Sequence, residues 1–273
     1  MRASLIIATY DNARFLKVVL DSLHYQTDKE FEIIVAEDGE NEAVGKLVEQ
    51  YPFEQPWLHL TQRDEGWQKN KAMNQAVRAA RTDWLVFIDG DYVLHPRFVE
   101  MHLRYADERS ILAGKRVKLD AASSQLLLEN VANVHSMQRR LVRKLLVGHG
   151  GAEFLEEGIF LSPDAWLGFI PKARRAHHLK GCNMSFSKKA IYAINGFDED
   201  YQSPAVGEDH DLSWRFEAAG YRHKSVRNLA VQYHLYHPES WASQEHNVKL
   251  CREKQRRNEY VCGNGLTREA PHG

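Results

Sequence analysis

Apolar positions in the first ninety residues fall in short blocks that alternate between two periods. Leu5-Ile6-Ile7-Ala8, Phe31-Glu32-Ile33-Ile34-Val35-Ala36 and Trp84-Leu85-Val86-Phe87-Ile88 are dense runs of β-branched and aromatic residues, the pattern of strands covered on both faces. Between them apolar residues recur at helical spacing. Phe15, Val18, Val19 and Leu23 form one such set, residues 42–51 carry a second, and Met73, Ala76, Val77 and Ala80 mark a third within residues 68–80. A shorter strand is predicted over Trp57–Leu60, after Pro52 and Pro56. Strand and helix alternating at short intervals predict an α/β fold of parallel βαβ units, a Rossmann-like central sheet flanked by helices.

The pattern then changes. After Pro96 a helix carrying Phe98, Met101, His102 and Tyr105 leads to a strand expected near residues 111–117. From Asp120 to about Leu179 no clear strand is visible. That stretch is helix-prone, holds the basic run Arg139-Arg140-Leu141-Val142-Arg143-Lys144, and has an aromatic-rich piece ending at Lys172, Arg174 and Arg175. Regular structure returns with a small-residue strand over residues 181–187, a helix start at residues 207–216 and a last strand over residues 230–234. A polar helix over about residues 243–258 and a loose tail close the chain. The division expected is one catalytic domain over 1–240, with halves 1–118 and 180–240 around a helical insert at 119–179, followed by a terminal helix and tail over 241–273.

Composition adds limits rather than direction. With 273 residues, 43% hydrophobic and 27% charged, and a formal net charge of −1, the chain has ample core and no basic excess that would suggest nucleic acid. No run approaches a membrane span, and Met1-Arg2-Ala3-Ser4 does not start a signal-peptide pattern. Three cysteines make neither a disulfide framework nor a four-cysteine zinc site, so a cytoplasmic location is expected.

The chemistry gathers where strands end. In a parallel sheet ligands sit beyond the carboxyl ends of the strands, so Thr9-Tyr10, Glu37-Asp38 and Asp89-Gly90-Asp91 should share one rim. Residues two apart in extended geometry point the same way, so Asp89 and Asp91 can present paired carboxylates to a divalent cation that also binds phosphate oxygens. Alone, an Asp-x-Asp is more often a strand ending in a turn. Neither a Gly-x-Gly-x-x-Gly after the first strand nor a Walker lysine loop is present, so phosphate must be held some other way. Gly207-Glu208-Asp209-His210-Asp211 can be read as helix-capping acids, although four ionisable groups exceed what a cap requires.

Taken in order, these pieces resemble glycosyltransferase family 2 proteins of the GT-A fold, in particular the bacterial subset whose second half is similar to family 7 galactosyltransferases. The resemblance rests on Leu5–Asn12, Glu37-Asp38-Gly39, Asp64-Glu65-Gly66-Trp67 with Asn70 and Asn74, and Asp89-Gly90-Asp91. It continues through Gly181–Phe186, Asn195-Gly196-Phe197-Asp198, residues 207–212 and residues 230–237, while residues 120–179 match poorly. It implies a nucleotide sugar over the first half, with Thr9, Tyr10, Asp38 and Glu37 near the base and Asp89 toward the diphosphate. It further implies Mn²⁺ or Mg²⁺ on Asp89, Asp91 and His234, with His237 as the alternative histidine. Asp209 would be the general base, Glu208 would bind a hydroxyl, and a single displacement would invert the anomeric carbon. Where the related pattern often has a Gly-Trp-Gly-like loop, this chain has Ser203-Pro204-Ala205-Val206.

Such relatives build surface polysaccharide or lipopolysaccharide, which implies a UDP-linked or similar donor and a glycan or lipid-linked acceptor, with no nucleic-acid partner. The basic run at residues 139–144 then reads either as a solvated helix face or as a patch that faces an anionic acceptor or anionic lipid at the inner face of the cell membrane. Two other classes fit the same fold. A non-catalytic sugar-nucleotide-binding protein would be expected to have lost one of these carboxylates, and a nucleotidyltransferase ordinarily needs a basic glycine-rich loop that Ala8–Asn12 does not provide.

Overall fold

The structure is a computed structural model, and it describes residues 1–148, 151–204, 206–238 and 243–267. Among these residues the chain builds a seven-stranded sheet and a three-stranded one. In order along the chain come β1 (Ala3–Thr9), α1 (Ala13–Leu23), β2 (Phe31–Glu37), α2 (Glu42–Gln50), β3 (Trp57–Leu60), α3 (Lys69–Ala79), β4 (Trp84–Asp89), β5 (Tyr92–Leu94) and α4 (Phe98–Tyr105). β6 (Ser110–Ala113), β7 (Val117–Lys118), α5 (Ala121–Glu129), α6 (Val134–Val147), α7 (Phe169–Ala173), β8 (Met184–Ser187) and α8 (Lys188–Ala193) follow. A wide turn over Val206–His210 leads into α9 (Asp211–Ala218), then β9 (Arg222–Ser225), β10 (Gln232–His234) and α10 (Glu245–Arg257).

The large sheet runs β3-β2-β1-β4-β8-β6-β9. β1, β2, β3 and β4 are mutually parallel, β8 is antiparallel to both β4 and β6, and β9 is parallel to β6. Successive strand residues face opposite sides, so each run feeds two cores. Ile6, Ile34, Leu85 and Phe87 pack with Met73 and Val77 of α3, Ile191 of α8 and Phe216 of α9. Leu5, Ile7, Ile33, Val86 and Ile88 pack with Leu16 and Leu20 of α1, Val44 of α2 and Met101 of α4 on the other face. Side-chain caps fix where helices begin: Asn12 accepts from Phe15 N, Asn41 from Ala43 N and Val44 N, and Asp120 from Ser123 N.

The small sheet runs β5-β10-β7, with β10 antiparallel to β5 and parallel to β7. Val93, Val117 and Tyr233 of this sheet bury against Leu127 of α5 and Met137 and Leu141 of α6. The strand expected over residues 111–117 is therefore two strands in different sheets. The chain leaves the first at Gly114, whose N–H donates to Asn183 O at 2.9 Å. A Cβ at Gly114 would lie 2.2 Å from the Asn183 side chain, so only glycine allows this crossing. Asn183 in turn donates to Lys115 O and Ala230 O, joining the second half of the chain to the break.

One further expectation is corrected. Part of the terminal tail is packed, not loose: Asn195 donates to Cys262 O and Thr267 O, and Leu266 joins the core beside α3. The rest, residues 268–273, lies outside the described residues, as does Ala205 of the Ser203–Val206 loop. The basic run on α6 is divided between paired and exposed side chains. Lys144 pairs with Asp120 at 2.5 Å and Arg140 donates to Ser123 at 2.9 Å, which leaves Arg139 and Arg143 exposed.

Candidate functional site

The parallel register aligns the ends of three strands. Thr9 on β1 lies opposite Glu37 on β2, and Ala8 lies opposite Asp89 on β4. Beyond them opens a cleft of about 580 Å³, lined by Thr9, Tyr10, Asp11, Phe15, Asp38, Trp67, Lys69, Asp89, Asp91 and His237. This is the size and position expected of a ligand site in an α/β sheet.

At one end Asp38 accepts from Gln62 Nε2 at 2.7 Å and from Gln68 N at 2.8 Å. Burial raises its pKa, with those donors opposing the rise. Tyr10 is half exposed, and its hydroxyl donates to Asp64 at 2.9 Å, which raises the phenol's pKa. Glu37, expected among the base-binding residues, is not on the cleft. It is buried beneath it, accepting from Asn41 N and facing His59 Nε2 at 2.8 Å, because alternation sends it to the opposite side of β2 from Asp38's approach.

The two carboxylates of Asp89-Gly90-Asp91 diverge. β4 ends at Asp89, Gly90 N donates to Ala8 O at 2.7 Å, and Asp91 enters the second sheet through β5. Asp89 is held by Lys69 Nζ at 2.7 Å. Asp91 instead meets both histidines: its Oδ2 lies 3.1 Å from His234 Nε2 and 3.1 Å from His237 Nε2, and the two nitrogens are 3.0 Å apart. His234 and His237, expected as alternatives, both converge on Asp91. The β5–β10 ladder sets this geometry by pairing His234 with Tyr92, while Leu235 N donates to Asp91 O. His234 is stacked on the Tyr92 ring at 4.6 Å.

His237 Nδ1 lies 3.0 Å from Pro238 O, a contact that orients the ring with Nε2 toward Asp91. Asp91 Oδ1 is buried without a hydrogen-bond partner, and the ligand atoms of Asp91, His234 and His237 lie within 4.8 Å of one another. Burial would raise the Asp91 pKa, but hydrogen bonds and charge from the two imidazoles outweigh it and hold the carboxyl low. Lone pairs converging on one point with an oxygen left over fit a divalent cation, and two imidazoles beside a carboxylate suit Mn²⁺ better than Mg²⁺.

Glu208 and Asp209 do not line the cleft themselves but follow Gly207 to its edge, where Glu208 meets Lys69. The asparagines of α3 bring them there: Asn70 Nδ2 donates to Gly207 O and Asp198 O, and Asn74 exchanges hydrogen bonds with Phe197. Gly207 admits this approach, since a Cβ would lie 2.4 Å from Tyr201 Cβ. Lys69 ties this segment to the cleft, pairing with Glu208 Oε2 at 2.7 Å as well as with Asp89. Burial raises the Glu208 pKa; Lys69 lowers it and Asp89 raises it. Asp209 Oδ2 is 3.3 Å from Lys180 Nζ, and its Oδ1 is buried without a partner. Asp211 is a structural acid, fully buried among Arg215, Tyr201 and Trp214. Lys69 and Lys180 were missed in the sequence. Lys69 stands inside the Trp67–Asn70 motif, but nothing local shows that its amine crosses to Glu208.

Comparison with known proteins agrees with this architecture. The glycosyl transferase family 2 model matches residues 4–146, and a galactosyltransferase domain model matches residues 171–238. The first covers more than half of the chain, and the chain belongs to glycosyl transferase family 2. It is 25% identical to Escherichia coli chondroitin synthase over 244 residues, covering 86% of this chain and 35% of that protein. It is 27% identical to the uncharacterized glycosyltransferase YfnE of Bacillus subtilis over 271 residues, covering 89% of this chain and 67% of that one. The chain thus spans about a third of the length of the chondroitin synthase. Among solved structures, S. aureus TarS 1-349 in complex with UDP-GlcNAc superposes with a TM-score of 0.59 at 16% identity, over 92% of this chain and 64% of that one. Mannosyltransferase PcManGT from Pyrobaculum calidifontis, in complex with GDP-Man and Mn2+, gives 0.55 at 14% identity, over 94% and 62%. The fold is GT-A.

Proposed function

We propose that this protein is a metal-dependent, inverting glycosyltransferase that moves a sugar from a nucleoside-diphosphate sugar to a hydroxyl of a glycan or lipid-linked acceptor. The observation that supports this reading is the Asp91–His234–His237 cluster beside the cleft over Thr9, Tyr10 and Asp38, with Lys69 linking Asp89 of that cleft to Glu208. Asp91, His234 and His237 would hold Mn²⁺ or Mg²⁺, with Asp89 beside them. A divalent ion there supplies charge neutralisation for the departing diphosphate. Thr9, Tyr10 and Asp38 hold the nucleoside end, with a UDP-linked donor the expected one. Asp209, whose Oδ1 has no partner, takes the proton from the acceptor hydroxyl as it attacks, and Glu208 positions a hydroxyl beside it. One displacement at the anomeric carbon inverts its configuration.

The chondroitin synthase and TarS similarities support a role in surface-polysaccharide synthesis. No helix among the described residues is long and apolar enough to cross a membrane. A cytoplasmic enzyme contacting the inner membrane face peripherally is consistent with the exposed end of α6, where Leu146 and Val147 adjoin Arg143. Incubation with a panel of nucleotide sugars and Mn²⁺, with nucleoside diphosphate release as the readout, tests the assignment and names the donor. Donor binding without release, under any acceptor tried, would favour the non-catalytic alternative.

A further inference from the structure

A second concavity lies at the far edge of the large sheet. It is a groove of about 490 Å³ along β9, the edge strand, facing the segment that runs from Arg174 to His177. Its cations outnumber its acids. Arg174 and Arg227 share the single carboxylate of Glu157, with Arg174 also donating to Asn228. Arg175 and Arg222 are exposed, and neither guanidinium has a hydrogen-bond or ion-pair partner among the described residues. Lys224 sits beside them, turned toward Tyr105 O at 3.1 Å. Glu217 is the acid on the lining, and it faces His223 Nδ1 at 3.0 Å.

His223 supplies a separate observation. Its side chain is only 6% exposed, it lines the groove, and its buried Nε2 has no partner. The Glu217 carboxylate can only accept, so Nδ1–H donates to it; burial lowers the ring's pKa against the pull of Glu217, and in the neutral ring Nε2 is an acceptor that needs an O–H or N–H. A sugar hydroxyl is such a donor. The groove therefore offers guanidinium forks for oxyanions next to an acceptor for a hydroxyl.

It also leads to the candidate base. Arg175 and Lys180 are five residues apart, a span of at most about 18 Å of extended chain. Lys180 pairs with Asp209, and His178 lies against His210 with ring centroids 5.7 Å apart. The positive field continues along this path: burial lowers the pKa of Lys115, and the charges of Lys180 and Arg227 lower it further.

We propose that the β9 groove binds the acceptor glycan at a distance from the transfer site, and that this glycan carries carboxylate or phosphate groups. The inference rests on the glycosyltransferase reading for the word acceptor, but the binding itself does not need turnover. A nucleic acid also carries phosphates. The groove's lining has Tyr221 as its one aromatic side chain for bases to stack on apart from the histidines, and it runs toward a candidate sugar-transfer base, which favours the glycan.

The test is direct binding by the intact chain, measured by calorimetry. The probes are a hexuronate oligosaccharide, a glycerol-phosphate oligomer, a neutral dextran of matched length and a single-stranded RNA oligonucleotide. At least one anionic glycan should bind and the dextran should not, and the tighter of the two identifies carboxylate or phosphate as the group read. Arg175→Glu with Arg222→Glu should weaken that binding at least tenfold. Arg139→Glu with Arg143→Glu, an equal charge change on α6, should leave it unaltered. His223→Phe should weaken it without changing its salt dependence. Circular dichroism and thermal melting check that the variants fold, and Arg175→Ala with Arg222→Ala stands in should the charge reversals not fold. Equal binding of dextran, tighter binding of RNA, insensitivity to the Arg175 and Arg222 changes, or no binding of either anionic glycan each overturns the proposal. Nucleoside diphosphate release from the donor is measured in parallel. Groove binding without donor turnover counts against the transferase reading, and donor turnover without groove binding counts against the groove.

Discussion

At the scale of single residues, the site is defined by which polar atoms lack a partner. Asp91 Oδ1 and Asp209 Oδ1 are both buried and unpaired, and such atoms ordinarily cost free energy unless a ligand completes them. Asp91→Ala should abolish Mn²⁺-dependent donor binding in calorimetry while leaving the thermal midpoint nearly unchanged, because the carboxylate contributes no core packing. Unchanged Mn²⁺ dependence in that variant would remove Asp91 from the metal site. Asp209→Asn keeps the shape but cannot take a proton, so transfer should slow by about 10² to 10⁴ while donor affinity holds. Joint loss of donor binding and turnover would place Asp209 in the donor site; near-normal turnover would move the base to Glu208. Asp211, which shares the same acidic motif, is already committed to Arg215 at 2.9 Å.

At the scale of elements, the seam between α4 and β8 carries a buried histidine with a consequence for acid stability. His102 lies between Ser185 Oγ at 2.8 Å and Asn183 Oδ1 at 3.1 Å. Burial pushes its pKa down to about 3 from an ordinary 6.5, and burial lowers His95, beside α4, to about 4. A histidine depressed in the folded state stays neutral there while the unfolded chain takes up a proton, so stability is full above pH 6.5 and falls as pH drops below it. The loss should approach ~1.4 kcal/mol per pH unit for each of the two histidines until the folded pKa is reached. Urea unfolding between pH 7 and pH 4 measures it, and His102→Gln should flatten the slope even if it lowers the plateau. An unchanged slope would mean that other groups govern the acid limb.

At the scale of the whole molecule, two halves meet across one rim and leave two charged surfaces outside it. The asparagines of α3 clasp the second half to the first, which is why a motif near residue 70 and a motif near residue 207 form one site. On the outer surface, Arg139 and Arg143 of α6 stand with Leu146, which is 81% exposed, and Val147. If this helix end docks on anionic membrane, each basic residue adds about 1 kcal/mol near the surface. Co-sedimentation with phosphatidylserine-containing liposomes should then weaken with salt and with Arg139→Glu and Arg143→Glu. Salt-independent sedimentation, or none, leaves α6 as a solvated face.

The sequence by itself determined the βαβ order and the rim on which the chemistry lies. Strand and helix periods are local properties, and a parallel sheet has only one place for its carboxyl ends. It also supplied nearly every residue of the candidate site, because Thr9, Asp38, Asp89 and Asp91 end strands whose apolar runs are unmistakable. What it could not decide depends on contacts between segments far apart in the chain. Residues 89 and 91 look like a matched pair in extended geometry, yet the chain changes sheets at Gly90, so one carboxylate meets Lys69 and the other meets two histidines more than 140 residues away. Glu37 and Asp38 are neighbours and both are buried, but only Asp38 lines the cleft. The break at Gly114 follows from Asn183, and the packed end of the tail follows from Asn195; neither partner is visible from the segment it controls. Periodicity fixes what a residue faces along its own element, whereas only tertiary structure fixes what comes to meet it.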